Sequence, residues 1–210
     1  MLDQNTSAFL PAPLEPESLE AAALSAQMDL LTGIYNREAL LAMLFRETDR
    51  AQRTKSALGL ILFDIDDFGH WNARLGAQAC DELLRQVAER TTPQLRSYDL
   101  LGRAGKDEFL VGLPGCDADM AVSLSQRLCR CIFSSPFRVA GQSIRLSACF
   151  GIAASLGRSP LVVLREAEQA LQAAKEAGPE SIQCFREAAQ TTAVPVTFFS
   201  PASEEDLLAW

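Results

Sequence analysis

The chain has 210 residues, 48% of them hydrophobic, which is enough for one core and a tail or two. Its 27 acidic against 19 basic residues give a formal net charge of −8, which excludes nonspecific nucleic-acid binding, since that rests on clustered Lys and Arg neutralising phosphates. No run of about twenty apolar residues offers a membrane span, and Met1 to Gln27 lacks a basic segment followed by an apolar one, so the chain reads as cytoplasmic, with no membrane partner.

Residues 1–28 read as a flexible, Pro-punctuated lead that ends in a helix over about Glu17 to Met28. A domain over 29–187 follows. It opens with a helix at 37–53, a strand at 57–65 and helices at 68–75 and 77–92. A short strand at 100–103 turns at Gly105-Lys106 into a strand at 108–113, and a helix covers 118–134. Strands at 137–139 and 143–154, a helix at 160–177 and a strand at 181–185 complete it. Residues 188–210 mix Thr, Pro and Ser with Phe198-Phe199 and end in Leu207-Leu208-Ala209-Trp210; they read as a flexible tail whose apolar tip suits a protein partner. Strands separated by paired helices around an interior hairpin predict an α/β fold, a mixed central sheet covered by helices.

Six cysteines are scattered without a CxxC pair, so neither a zinc site nor a disulfide framework is indicated, and buried reduced thiols are expected. His70 is the only histidine, which removes any histidine-based triad.

Chemistry concentrates at two places. Leu60-Ile61-Leu62-Phe63 is a continuous apolar run of the kind that a strand buried on both faces shows, and Asp64 and Asp66 stand at its exit. Carboxylate oxygens are the donors Mg2+ prefers when substrate phosphates complete its shell. The hairpin Arg103-Ala104-Gly105-Lys106-Asp107-Glu108, read as a type II′ turn with Gly105 at its first central position, would bring Asp107 and Glu108 beside that strand. The second place is Arg96-Ser97-Tyr98-Asp99, separated from Gly105 by five residues, where a guanidinium fork and a carboxylate stand three apart. An exposed pair of this kind is otherwise a solvated ion pair worth little.

Taken in order, these segments resemble the GGDEF domain of diguanylate cyclases, which condense two GTP into cyclic di-GMP. The resemblance covers about Asp29 to Phe185 and opens with Asp29-Leu30-Leu31-Thr32-Gly33-Ile34-Tyr35-Asn36-Arg37. It continues through Asp64-Ile65-Asp66-Asp67-Phe68, Gly105 to Phe109, Ser147 to Ile152, and Ala170-Leu171 to Lys175. It implies a GGDEF-type sheet with the signature hairpin protruding, and a homodimer in which each domain brings one GTP. Asp64, the backbone at Ile65, and Asp107 or Glu108 would hold Mg2+. Asp107 or Glu108 would also help activate the ribose 3′-hydroxyl. Asn72 and Asp81 would read guanine, and Lys175 would bind phosphate. Arg96 and Asp99 match the family's RxxD inhibitory site, with Arg127 where some relatives add a further arginine.

The sequence also departs from the family pattern. The second glycine of the signature turn is Lys106, whose stem would stand where the nucleotide packs on bare backbone. Gly69 replaces a lysine, and Pro179 replaces a phosphate-binding arginine. Ala73, Ala77 and Cys80 replace an Asp, a His and a Gly. Three readings follow: a cyclic di-GMP receptor with impaired synthesis, a working cyclase under product inhibition, and an adaptor that binds neither nucleotide.

Overall fold

The computed structural model describes residues 25–186, together with the backbone of 192–194. After a short helical turn at 25–27 come α1 (Arg37–Thr54), β1 (Leu58–Ile65), α2 (Phe68–Leu75) and α3 (Ala77–Thr91). A 3-10 turn at Thr92–Gln94 leads to β2 (Leu100–Arg103), β3 (Glu108–Pro114) and α4 (Ala118–Phe133). The rest is β4 (Phe137–Val139), β5 (Gln142–Ile144), β6 (Ala148–Ser155), α5 (Pro160–Ala177), β7 (Ile182–Cys184) and β8 (Thr192–Val194).

Six strands form one sheet in the order β2-β3-β1-β6-β7-β8, antiparallel throughout except for the parallel β6-β7 pair. Every residue of β1 is buried, as its unbroken apolar run requires, because helices cover both faces. Its Leu58, Leu60 and Leu62 pack with Leu40 and Leu44 of α1 and with Leu164, Ala167 and Leu171 of α5. Its Ile61, Phe63 and Ile65 pack with Leu83, Leu84 and Val87 of α3 and with Leu128 and Ile132 of α4. Gly151 of β6 is needed for this closeness, since a Cβ there would lie 2.2 Å from the Ala167 carbonyl oxygen and 2.3 Å from the Leu171 nitrogen.

Phe63 stacks on Phe109 of β3 and on Phe150 of β6, each with ring centroids 5.1 Å apart. All three are direct cross-strand partners. Such pairs add about 0.5 to 1.5 kcal/mol beyond the area they bury. More usefully, they pin the register, because a slip by one residue would turn each ring to the other face. The next residue along each strand is then also fixed: Glu108, Asp64 and Cys149 stand side by side on the face covered by α1 and α5.

Three expectations change. The strand expected over 143–154 is two strands in two sheets: β5 pairs with β4 in a separate hairpin, and 145–147 crosses over to start β6. Arg90 of α3 holds that hairpin, donating to the carbonyls of Ile132, Ser135 and Pro136 and lying 3.8 Å above the Phe137 ring. The lead helix expected to reach Met28 ends at Gln27, because Met28 bridges to Tyr35; its earlier residues lie outside the described ones. The tail expected from 188 includes β8, which adds to β7 with Thr192 opposite Cys184; residues 195–210 lie outside the described ones. The thiols at Cys80, Cys116, Cys129, Cys149 and Cys184 are buried as expected, while Cys131 is exposed on α4.

Candidate functional site

The aromatic ladder delivers Asp64 and Glu108 to one end of the sheet, and the last turn of α5 brings Lys175 over them. The Lys175 ammonium lies 3.1 Å from Asp64 Oδ2, with the Asp64 side chain only 13% exposed and that of Lys175 39%. Burial, together with Asp107 and Glu108 nearby, pushes the Asp64 carboxyl up to about 6 despite the pull of the lysine. Ile65 is buried, and its N–H donates to the Asp107 carbonyl at 3.3 Å, which joins the start of β3 to the end of β1.

The signature turn differs from the type expected. None of Gly105, Lys106 and Asp107 takes a positive φ, so the II′ geometry is absent. Instead the N–H groups of Ala104 and Gly105 both donate to the Glu108 carbonyl, at 2.9 and 3.3 Å. Gly105 matters in another way: the Glu108 carboxylate folds against its bare backbone, and a Cβ there, 2.6 Å from Glu108 Oε2, would make that carboxylate shift. Lys106 is exposed and meets no backbone penalty. Its ammonium pulls down the Cys80 thiol on α3, although burial and then Asp81 outweigh it and leave that thiol raised. The turn thus faces the start of α3.

Two arginines whose roles the sequence did not disclose hold this turn. Arg37, at the start of α1, donates to the Ala104 carbonyl at 2.8 Å. Arg103 donates to the Lys106 carbonyl at 2.6 Å and pairs with Asp29 at 3.3 Å. Asp29 in turn accepts from the Thr32 N–H at 2.9 Å and its hydroxyl at 2.7 Å. Burial would raise the Asp29 carboxyl, but the two Thr32 bonds and Arg103 prevail and lower it. Asp29, Thr32 and Arg37 all belong to the opening motif, so the signal was legible as a pattern even though its targets, 67 and 74 residues away, were not.

Asp66 was a candidate for the cation site, and it does something else. It accepts from the Ser147 hydroxyl at 2.6 Å and from the Glu180 N–H at 3.0 Å, while its own N–H donates to the Ser147 carbonyl at 2.9 Å. It is a latch between the end of β1, the start of β6 and the loop after α5. Cys149 beside it donates to the Gly178 carbonyl at 3.4 Å, and burial, then its bond to Asp66, push its thiol up to about 12.

Asn72 and Asp81 are half-buried on α2 and α3, which meet at Gly76 with its φ of 82°. The oxygen-only donor chemistry at Asp64, Asp107 and Glu108 fits a hard divalent cation. Among the described residues, however, no three His, Cys, Asp or Glu side chains converge closely enough to hold a metal ion as they stand, and Lys175 is the cation against Asp64.

At the other end of β2, Arg96, Tyr98 and Asp99 form a turn of their own. Asp99 Oδ2 accepts from the Arg96 N–H at 2.8 Å, and the Arg96 carbonyl accepts from the Asp99 N–H at 3.0 Å. Asp99 Oδ1 is buried without a partner. The Arg96 side chain is exposed, donating to the Tyr98 hydroxyl at 2.9 Å. Arg127, exposed on α4, donates to the Gln94 carbonyl at 2.7 Å, at the end of the 3-10 turn that precedes this one.

A profile of the family described as "Diguanylate cyclase, GGDEF domain" matches residues 26–181. The chain belongs to the GGDEF family. It is 34% identical to the diguanylate cyclase DgcP of Pseudomonas aeruginosa over 166 residues, covering 79% of this chain and 25% of that protein. It superposes on diguanylate cyclase SiaD of Pseudomonas aeruginosa, solved with its activator SiaC, with a TM-score of 0.74 at 29% identity, covering 80% of this chain and 65% of that one. The fold is also that of the coiled coil and GGDEF domain of DgcB from Caulobacter crescentus, solved with c-di-GMP: TM-score 0.76, 24% identity, 80% and 90% covered. The chain therefore spans a quarter of the length of DgcP and about two thirds of the SiaD chain. Among the described residues no helix of this GGDEF domain is long and apolar enough to cross a membrane.

Proposed function

We propose that this GGDEF domain is a receptor for cyclic di-GMP, bound through Arg96, Asp99 and Arg127, and that it has little or no diguanylate cyclase activity of its own. The observation that carries the reading is the turn at Arg96–Asp99. Asp99 caps the Arg96 N–H, so the turn is shaped before any ligand arrives, and the Arg96 side chain stands exposed, with Arg127 bonded to Gln94 just upstream. A planar guanidinium in that position can donate a paired set of bonds to a guanine edge or a phosphate. Preorganisation of this kind reduces the ordering that binding would otherwise require.

Weak synthesis follows from the other end of the hairpin. Asn72 and Asp81 supply the guanine-reading pair, and Asp64, the Ile65 backbone, Asp107 and Glu108 supply the oxygen donors that would hold Mg2+. When bound, that ion would neutralise the phosphates and favour ionisation of the 3′-hydroxyl. Lys175 is then the one cation at the phosphates among the positions compared, because Gly69 and Pro179 supply none. Each missing charge-assisted bond is worth about 1.5 to 3 kcal/mol, which in a transition state means orders of magnitude in rate. Lys106 further narrows the approach to the turn. A working cyclase regulated at Arg96 is the second reading, favoured by the register pairing of Asp64 with Glu108.

Calorimetry with cyclic di-GMP, and separately with GTP plus Mg2+, tests the reading, followed by an assay for cyclic di-GMP over hours at high protein concentration. Heat with cyclic di-GMP and negligible product is the expected result. Product at an ordinary enzyme's rate that disappears in Glu108→Ala promotes the second reading; no heat with either ligand leaves the adaptor.

A further inference from the structure

The Lys175–Asp64 pair stands at the position proposed above for both the cation and the phosphates. The lysine leaves the last turn of α5, and its ammonium sits 3.1 Å from a carboxylate that is almost enclosed, with the Asp107 and Glu108 carboxylates around it. A buried carboxylate without a counter-charge is strongly unfavourable, so something positive has to stand there whenever Asp64 is ionised. An ammonium does so as a compact point charge on a flexible four-carbon stem, which can leave without disturbing the helix that carries it.

We infer that Lys175 is the resident counter-ion of the cation site, an internal ammonium that a divalent metal must displace and that the incoming nucleotide's phosphates then receive. The inference rests on the reading of Asp64 as a metal ligand and adds how that ligand is kept ready. In the resting state Lys175 compensates Asp64. When a divalent cation takes the Asp64 oxygens, like charge expels the ammonium, and the phosphate oxygens of the nucleotide are the nearest acceptors that can satisfy it. Lys175 therefore couples the two ligands: a bare cation competes with it and binds weakly, whereas a cation delivered with phosphates gives it a new partner. The latch at Asp66 fits this arrangement, because it fixes the loop directly after α5, through the Glu180 N–H, so that Lys175 moves by its side chain alone.

The test uses Mn2+ alone as the probe, with no nucleotide, on the whole chain and on Lys175→Met, which keeps the stem and removes the charge. Binding is read by electron paramagnetic resonance and by the rise in melting temperature on adding metal. Lys175→Met should melt lower than wild type in metal-free buffer and bind Mn2+ about five- to tenfold more tightly, with a larger thermal gain from the metal. Asp64→Asn in the same background should lose that gain. Equal or weaker Mn2+ binding in Lys175→Met, in a protein that still binds GTP with Mg2+, overturns the counter-ion role and leaves the cation site standing. No metal response in either protein, with or without GTP, overturns both.

Discussion

The two ends of the β2-β3 hairpin handle charge in opposite ways. At the signature end, Asp64 is buried, raised to about 6 and compensated from inside the protein by Lys175. At the other end, across the four residues of β2, Arg96 is exposed and its turn is braced by Asp99 before any ligand is present. A site whose charge is neutralised internally must exchange an existing contact for a new one, so it discriminates between ligands. A site that offers an exposed guanidinium on a formed turn binds with little rearrangement. Under the proposed reading, the exposed end is the one prepared to receive cyclic di-GMP, and the enclosed end has first to give up its own ion pair.

The largest expected effect would break both ends at once. Gly151→Ala puts a methyl group into the backbone of α5, which cannot retreat without leaving β6, so a loss of about 3 kcal/mol or more is expected in urea unfolding, with binding lost at both ends together. A melting curve within error of wild type would show that the helix can shift, and the close packing argument would fail.

Arg96→Ala breaks only the exposed end. Cyclic di-GMP binding should weaken by about 2 kcal/mol in calorimetry while the melting temperature stays put, because the side chain is exposed and holds no core. Asp99→Ala should weaken binding too, through loss of the brace on the Arg96 N–H. Unchanged affinity in both would remove the receptor reading.

Asp64→Asn sharpens the contrast through pH. The native carboxyl binds its proton more tightly than the unfolded chain does, about 6 against 3.8, so wild-type stability should fall as pH rises through that window and level off above it. The Asn variant should lack that slope and be more stable at pH 8 by about 1 to 2 kcal/mol in metal-free buffer, while losing divalent-cation binding. A wild-type stability that rises from pH 4 to 6 by the same amount as the variant's would contradict the account of Asp64.

The smallest effect concerns access. Lys106→Gly should leave the fold unchanged, because that position is exposed and not at a positive φ, and improve GTP binding by about 1 kcal/mol or less by removing a side chain that must be moved aside. Turnover should barely respond, since Gly69 and Pro179 still leave the phosphates undercompensated. Full synthesis from this one change, measured as cyclic di-GMP formed, would refute the missing-clamp argument.

Sequence alone determined the helices, the order of the strands through β4, the burial of β1 and the family, because each rests on local pattern: an unbroken apolar run, helical periodicity, and short motifs at fixed spacing. It also singled out Asp64, Glu108 and Lys175 as candidates, though without the contact between Asp64 and Lys175, which lie 111 positions apart in the chain. It misjudged the turn, because Gly105 looked like a residue needed for its φ, whereas its φ is ordinary and its bare backbone is where the Glu108 carboxylate rests. It joined β5 to β6, because an apolar run does not reveal that its two halves pair in different sheets. It read Asp66 by analogy with Asp64, whereas the loop returning from α5 and the start of β6 claim its oxygens. In each case the deciding atoms come from distant segments: alternation along a strand fixes which face a side chain takes, and only packing fixes what waits for it there.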